Sequence, residues 1–155
     1  MNKQKRKLEL NQLQSKMSRI ASMESAIVVP QAGWLYSIRK ALSMSLRQLA
    51  MRLNMSPQGI AQLEERERDE TISLGKLREA GNAMGMKLVY GFIPINESIE
   101  ELVLKRARQI ATEIVHQSAH TMKLENQGVS DDRIDEAIND IIRELTENKP
   151  GKIWD

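Results

Sequence analysis

The chain has 155 residues, room for one ordinary domain or a small domain with an extension, and its 41% apolar content supports a packed core. It has no cysteine, which excludes disulfides, thiolate metal sites and a cysteine nucleophile. The net charge of +2 conceals a gradient: residues 1–29 carry six basic and two acidic side chains, residues 30–95 nine and six, and residues 96–155 eight and thirteen. A basic first two-thirds draws phosphates by counterion release, while an acidic last third does not belong on DNA, so two different partners are expected.

The basic start MNKQKRKLEL runs into no apolar stretch, so no secretory signal is expected. No apolar run approaches membrane-spanning length. Residues 1–7 read as a mobile basic arm, with Lys3, Lys5, Arg6 and Lys7 as either phosphate contacts or a solvated terminus. A helical stripe follows: Leu10, Leu13, Met17 and Ile20. It stops at Ile27-Val28-Val29-Pro30, where β-branched residues before proline favour extended backbone.

Residues 33–65 form the densest pattern, GWLYSIRKALSMSLRQLAMRLNMSPQGIAQLEE. Ser45 stands before Leu46, Leu49, Ala50 and Leu53, the position where a hydroxyl accepts a first-turn amide. Ser56 is followed by Pro57, which suits the first helical position because that amide needs no partner. Asn54-Met55 leaves only a tight turn between the two helices. Leu35, Ile38 and Leu42 on a preceding helix, with Ile60 and Leu63 on the last, complete the apolar face of a helix-turn-helix.

Ser45-Leu-Arg-Gln-Leu-Ala50, the Ser56 cap, Ile60 and Leu63-Glu64 resemble the Xre/phage-repressor family of helix-turn-helix proteins. The resemblance implies a structural ion pair between Arg39 and Glu64. It also implies that Ser56, Pro57, Gln58 and Gln62 face DNA bases, with Gly59 permitting close approach. Phosphate contacts are expected at the helix start at Ser45, at Arg47, and at Arg66 and Arg68 in a charged loop after the recognition helix.

Ser73 caps a further helix (Leu74, Leu77, Ala80, Met84) that stops at Gly85. Residues 87–93 then alternate, with Leu88, Tyr90 and Phe92 on one face and Val89 and Ile93 on the other, which predicts a strand. A lone strand exposes unpaired edges, so Leu88, Val89 and Tyr90 are expected to pair with a second copy in a homodimer. From Pro30 to Pro94 the chain resembles the mobile mystery protein A group through Gly33-Trp34, Ile38-Arg39, TISLGKLREA (71–80) and Leu88-Val89-Tyr90. That resemblance implies a transcriptional regulator encoded beside a Fic-domain protein.

In the acidic third, Ser98 and Glu101 fit a capping box opening a helix to about Glu125, and Gln127-Gly128 breaks it. Ser130 caps a second helix with the stripe Ile134, Ala137, Ile138, Ile141, Ile142 and Leu145. Trp154, so near the end, is expected to pack on its own fold or on a partner. His116 and His120 share a helical face but lack a third ligand, so no metal, cofactor or enzymatic activity is expected. Thr121-Met-Lys-Leu-Glu125-Asn126 fits [S/T]-x-x-x-E-[G/N] and, with the following QGVSDD, resembles the inhibitory helix of Fic antitoxins. That implies Glu125 pairing with an arginine in the toxin's active site, with Thr121 and Asn126 beside it.

The expectation is an all-α chain in three parts: a basic arm and helix (1–29), an Xre-type helix-turn-helix domain with one short dimerising strand (30–95), and a C-terminal helical partner-binding extension (96–155). The expected function is a cytoplasmic antitoxin, nucleoid-associated on its operator, that inhibits a Fic-domain toxin and represses its own operon on double-stranded DNA. The alternative is a plain Xre-family repressor whose extension serves dimerisation or ligand sensing.

Overall fold

The computed structural model describes residues 2–96, 98–124 and 130–155, which are helical wherever they have regular structure. The helices are α1 (Lys3–Ala21), α2 (Trp34–Ala41), α3 (Leu46–Leu53), α4 (Pro57–Arg68), α5 (Leu74–Ala83), α6 (Ile99–Leu124) and α7 (Asp131–Glu147). One-turn 3₁₀ segments stand at Glu24–Ala26 and Pro150–Trp154. The chain divides into two compact units: residues 22–91, and residues 1–21 with 92–155.

In the unit of residues 22–91, α2 to α5 enclose Leu35, Leu49, Ala50, Ile60, Leu63, Ala80 and Met84. Ile38, Leu46, Leu53, Met55 and Leu77 close the rim. Leu42 and Leu74 fall outside this core and are largely exposed, because each stands at a helix end where the apolar stripe turns away. Serine hydroxyls open three of the helices: Ser45 accepts from the Gln48 amide, Ser56 from Gly59 and Ser73 from Lys76. All four helices stop on a left-handed residue, Ser43, Asn54, Glu70 and Gly85 in turn. After each of them the next amide reaches back: Met44 to the Arg39 carbonyl, Met55 to Ala50, Thr71 to Arg66 and Met86 to Gly81. Gly85 and, to a lesser degree, Asn54 are the residue types that make that stop cheap.

In the other unit α6 and α7 form a hairpin. Ala107 and Ala111 have no exposed surface, and such small side chains let α7 approach closely. Leu145, Ile141 and Ile142 pack there with Val103 and Ile110. Much of the 134–145 stripe is therefore spent on α6. Ile153, at 0% exposure, locks the terminal turn into the same core, whereas Trp154 remains 58% exposed. Packing onto the chain's own fold is thus done mainly by the neighbour of the aromatic. Ser98 and Glu101 form a reciprocal capping box, while Ser130 holds the cap position of α7 without a side-chain hydrogen bond.

Residues 3–7 differ from the expected mobile arm: α1 begins at Lys3 and its start is anchored to the end of α7. Lys3 Nζ lies 2.8 Å from Glu147 Oε2, and the Arg6 guanidinium donates to the Thr146 carbonyl at 2.7 Å. Further along α1, Gln14 Oε1 accepts the Ile99 amide at 2.8 Å, supplying the start of α6 with a partner. Basic residues there satisfy the carbonyl and carboxylate end of a helix, the arrangement its dipole favours.

The strand expected at 87–93 is absent. Residues 86–94 are irregular, and among the described residues no strand lies beside them to complete a ladder. Alternation alone does not create a strand; the hydrogen bonds must come from a neighbour. Val89 is 80% and Phe92 78% exposed, whereas Leu88 and Ile93 are partly buried.

Candidate nucleic-acid interface

α4 owes its placement to two carboxylate anchors on α2, one an ion pair and one a cap on backbone amides. Arg39 Nε and Nη2 donate to Glu64 Oε1 and Oε2 at 2.5 and 3.1 Å, and Nη1 donates to the Met44 carbonyl at 3.0 Å. Both residues are only 6% exposed. The Glu64 hydrogen bond holds the Arg39 guanidinium above its ordinary pKa, and the cation sits 5.4 Å from the Tyr36 ring centre. At these distances the pair is bidentate and charge-assisted, which fixes rotation as well as position.

The second anchor is Glu67. Its carboxylate accepts the Trp34 amide at 2.7 Å and the Leu35 amide at 2.8 Å, capping the start of α2 from outside. Gly33 precedes α2 with φ +83° and has no side chain to cap with. A Cβ there would stand 3.1 Å from Glu67 Oε2 and crowd the carboxylate, and the dihedral itself favours glycine. Residues 66–68 were expected in a loop; they continue α4 to Arg68 because Glu67 is held in this way. Sequence reasoning missed Glu67. Its signal was a helix start at Gly33 with no Ser, Thr, Asp or Asn to cap it.

The opposite face of α4 is left to solvent. Gln58, Gln62 and Arg66 are exposed and recur at four-residue spacing, one row along the helix. Glu65 is the exposed acid among them, since Glu64 and Glu67 face α2. Arg68 is exposed at the helix end. Turning two carboxylates inward leaves the outer face positive in a stretch whose formal charges nearly cancel.

At the turn, Asn54 adopts φ +52°, and Pro57 supplies the first residue of α4. Ser56 uses its hydroxyl on the Gly59 amide at 3.0 Å, which leaves Gln58 as the first-turn amide of α4 without an intrahelical acceptor. At Gly59 a Cβ would meet Met55 Cε at 3.1 Å and Ser56 Oγ at 3.2 Å, so the glycine also makes room for the turn itself. At the start of α3, Ser45 and Gln48 exchange hydrogen bonds of 3.2 and 2.8 Å. That box consumes two amides and leaves those of Leu46 and Arg47, with the exposed Arg47 side chain, for an anion.

A short helix, a tight turn and a second helix with an exposed polar row are the parts of a DNA-reading module. Residues 35–90 match the helix-turn-helix family. The chain thus carries an Xre-type helix-turn-helix domain, the DNA-binding element of a transcriptional regulator, across α2 to α5 and the segment after them. No curated protein and no solved structure matches the chain.

The remaining expected site residues lie elsewhere. Leu88 is half-buried, while Val89 and Tyr90 are exposed in the irregular segment. Thr121 is exposed on α6 and its hydroxyl donates to its own helix, at the Gln117 carbonyl, 3.0 Å away. Glu125 and Asn126 lie outside the described residues. His116 and His120 are exposed on α6, and among the described residues no group of three or more His, Asp or Glu converges on a common point. No helix among them is long and apolar enough to cross a membrane.

Proposed function

We propose that this regulator reads its operator with the outer face of α4 in the major groove. Ser56, Pro57, Gln58 and Gln62 lie against base edges, and the α3 start, Arg47, Arg66 and Arg68 hold phosphates. The observation that carries the reading is the Gln58–Gln62–Arg66 row, exposed on a helix whose other face is clamped through Glu64 and Glu67. Glutamine amides both donate and accept at an adenine edge, which suits direct readout. Arginines at the helix end suit phosphate positioning. The test is a titration of the purified chain against DNA from upstream of its own gene and against scrambled DNA. Preference of about a thousandfold or more at physiological salt is expected of a specific regulator; equal affinity for both would remove it.

We infer further that the protein acts as a homodimer through residues 87–93. The exposed Val89 and Tyr90, beside a groove lined by Trp34, Ile38, Leu77, Met86 and Leu88, support this face as the interface. Two such segments side by side would supply each other with the ladder each lacks. Sedimentation velocity is the check: a monomer at micromolar concentration contradicts the dimer.

The antitoxin role rests on the resemblance of residues 121–132 to Fic inhibitory helices. In that reading Glu125 enters a Fic-domain partner's active site while the α6–α7 hairpin holds the complex together. Co-purification with the neighbouring gene product, followed by a nucleotide-transfer assay, tests it. A free regulator beside a fully active neighbour would leave a plain repressor.

A further inference from the structure

A cavity of about 550 Å³ opens at the first turns of α6, within the unit that contains the C-terminal hairpin. Its walls combine Pro94, Leu102 and the Trp154 indole with the cations Lys105 and Arg106 and the amide of Gln109. That volume lies in the range of small-molecule sites, which pair apolar walls with a few placed polar groups.

Three features distinguish it from an accidental groove. Trp154 is 58% exposed although its neighbour Ile153 is wholly buried, so the indole rides on a fixed anchor where it lines the cavity. Arg106 is held by neutral acceptors: Nε donates to the Ile153 carbonyl at 3.2 Å and Nη1 to Gln109 Oε1 at 3.4 Å. Its positive charge is thus fixed in direction and, among the described residues, met by no carboxylate ion pair, and the same holds for Lys105. Glu101, also in the wall, has its carboxylate engaged with the Ser98 amide at 3.3 Å. Two cations in the wall outweigh its single negative charge.

We propose that this cavity binds a small planar aromatic anion, its ring stacked on Trp154 and its carboxylate or phosphate held by Lys105 and Arg106. Stacking on an indole rewards a flat ring of any identity. The adjacent cations reward an anionic group on its edge. Aromatic carboxylates and mononucleotides share this chemistry.

The test uses the full chain carrying Trp34→Phe, so that Trp154 is the only indole, and follows its fluorescence during titration with salicylate, with adenosine monophosphate and with inorganic phosphate. Quenching by one or both aromatic anions, with phosphate at least about tenfold weaker, is expected if the ring contributes through stacking. Which of the two binds more tightly identifies the source. Lys105→Gln should weaken binding about tenfold, the loss expected for one charge-assisted contact. Trp154→Ala, read by calorimetry, should weaken it by about tenfold or more. Neither substitution touches the buried Ile153 anchor, so circular dichroism should be unchanged. No quenching by either aromatic anion at millimolar concentration overturns the proposal, as does equal affinity in the Lys105→Gln and Trp154→Ala variants. The readout is binding alone and stands or falls apart from DNA recognition.

Discussion

Glu64→Gln is the perturbation whose cost the structure defines most closely. The substitution keeps the volume and removes the charge. Glu64 accepts from Arg39 Nε at 2.5 Å and from Nη2 at 3.1 Å, with both residues 6% exposed. A glutamine accepts through one oxygen only and turns its amino group on the other guanidinium nitrogen, so a donor faces a donor. Arg39 stays charged, which leaves a buried cation without its counter-ion. Breaking such a pair costs about 3–5 kcal/mol. The Met44 carbonyl at 3.0 Å and the Tyr36 ring at 5.4 Å still face the cation, so the lower end, about 3 kcal/mol, is expected. A small domain has only about 5–15 kcal/mol in total. The assay is urea unfolding in a Trp154→Phe background, where Trp34 alone reports the unit of residues 22–91. With a slope of about 1–3 kcal/mol per molar, the midpoint should fall by about 1 M or more. The control is Arg39→Met with Glu64→Leu, which removes both charges and should recover most of the loss, apart from about 1 kcal/mol for the orphaned Met44 carbonyl. A loss under about 1 kcal/mol for Glu64→Gln would mean that water reaches the pair. A double variant as weak as the single one would assign the loss to packing instead of charge.

Glu67→Ala should cost about 1–2 kcal/mol, because two amides at the start of α2 lose their acceptor; hydrogen exchange at Trp34 and Leu35 should rise with it, and unchanged protection there would discount the external cap. Arg68→Ala should weaken specific and non-specific DNA binding alike and lower the salt slope by about one unit; altered selectivity at constant slope would make Arg68 a base reader. The Lys3 hydrogen bond holds the Glu147 carboxyl below its ordinary pKa, so its contribution is present above the usual carboxylate range and lost as pH falls through the depressed value. Exchange protection in the first turns of α1 should therefore drop on acidification in the parent, and should be lower and insensitive to that titration in Glu147→Gln; identical profiles would remove the anchor.

The helix starts at Ser45, Ser56, Ser73 and Ser98 were legible because a cap needs only a hydroxyl at the right offset from an apolar stripe, and that is local information. The stop at Gly85 was legible for the same reason. Ser43 and Glu70 adopt left-handed backbone that neither side chain advertises, so those stops were invisible. Glu67 was missed because its partners lie 32 and 33 residues away, beyond any periodic pattern. So was the joining of α1 to α6 and α7 through Lys3, Arg6 and Gln14, whose side chains look like solvent-facing polar residues until the far helix ends are in place. The strand at 87–93 was read from alternation, which records exposure to two environments and not the presence of a partner. At the interface the exposed row on α4 follows from helical spacing, but its positive character does not: it depends on which of Glu64, Glu65 and Glu67 turn inward, a tertiary outcome.

The proposed function turns on Gln58 reading a base from α4. Parallel binding-site selections from a randomised duplex library, one with the parent chain and one with Gln58→Ala, test it most directly. The parent should enrich a defined motif. The variant should keep the same motif except at one base pair, where preference relaxes by about 1–3 kcal/mol. An identical motif at full strength from both proteins would contradict the claim.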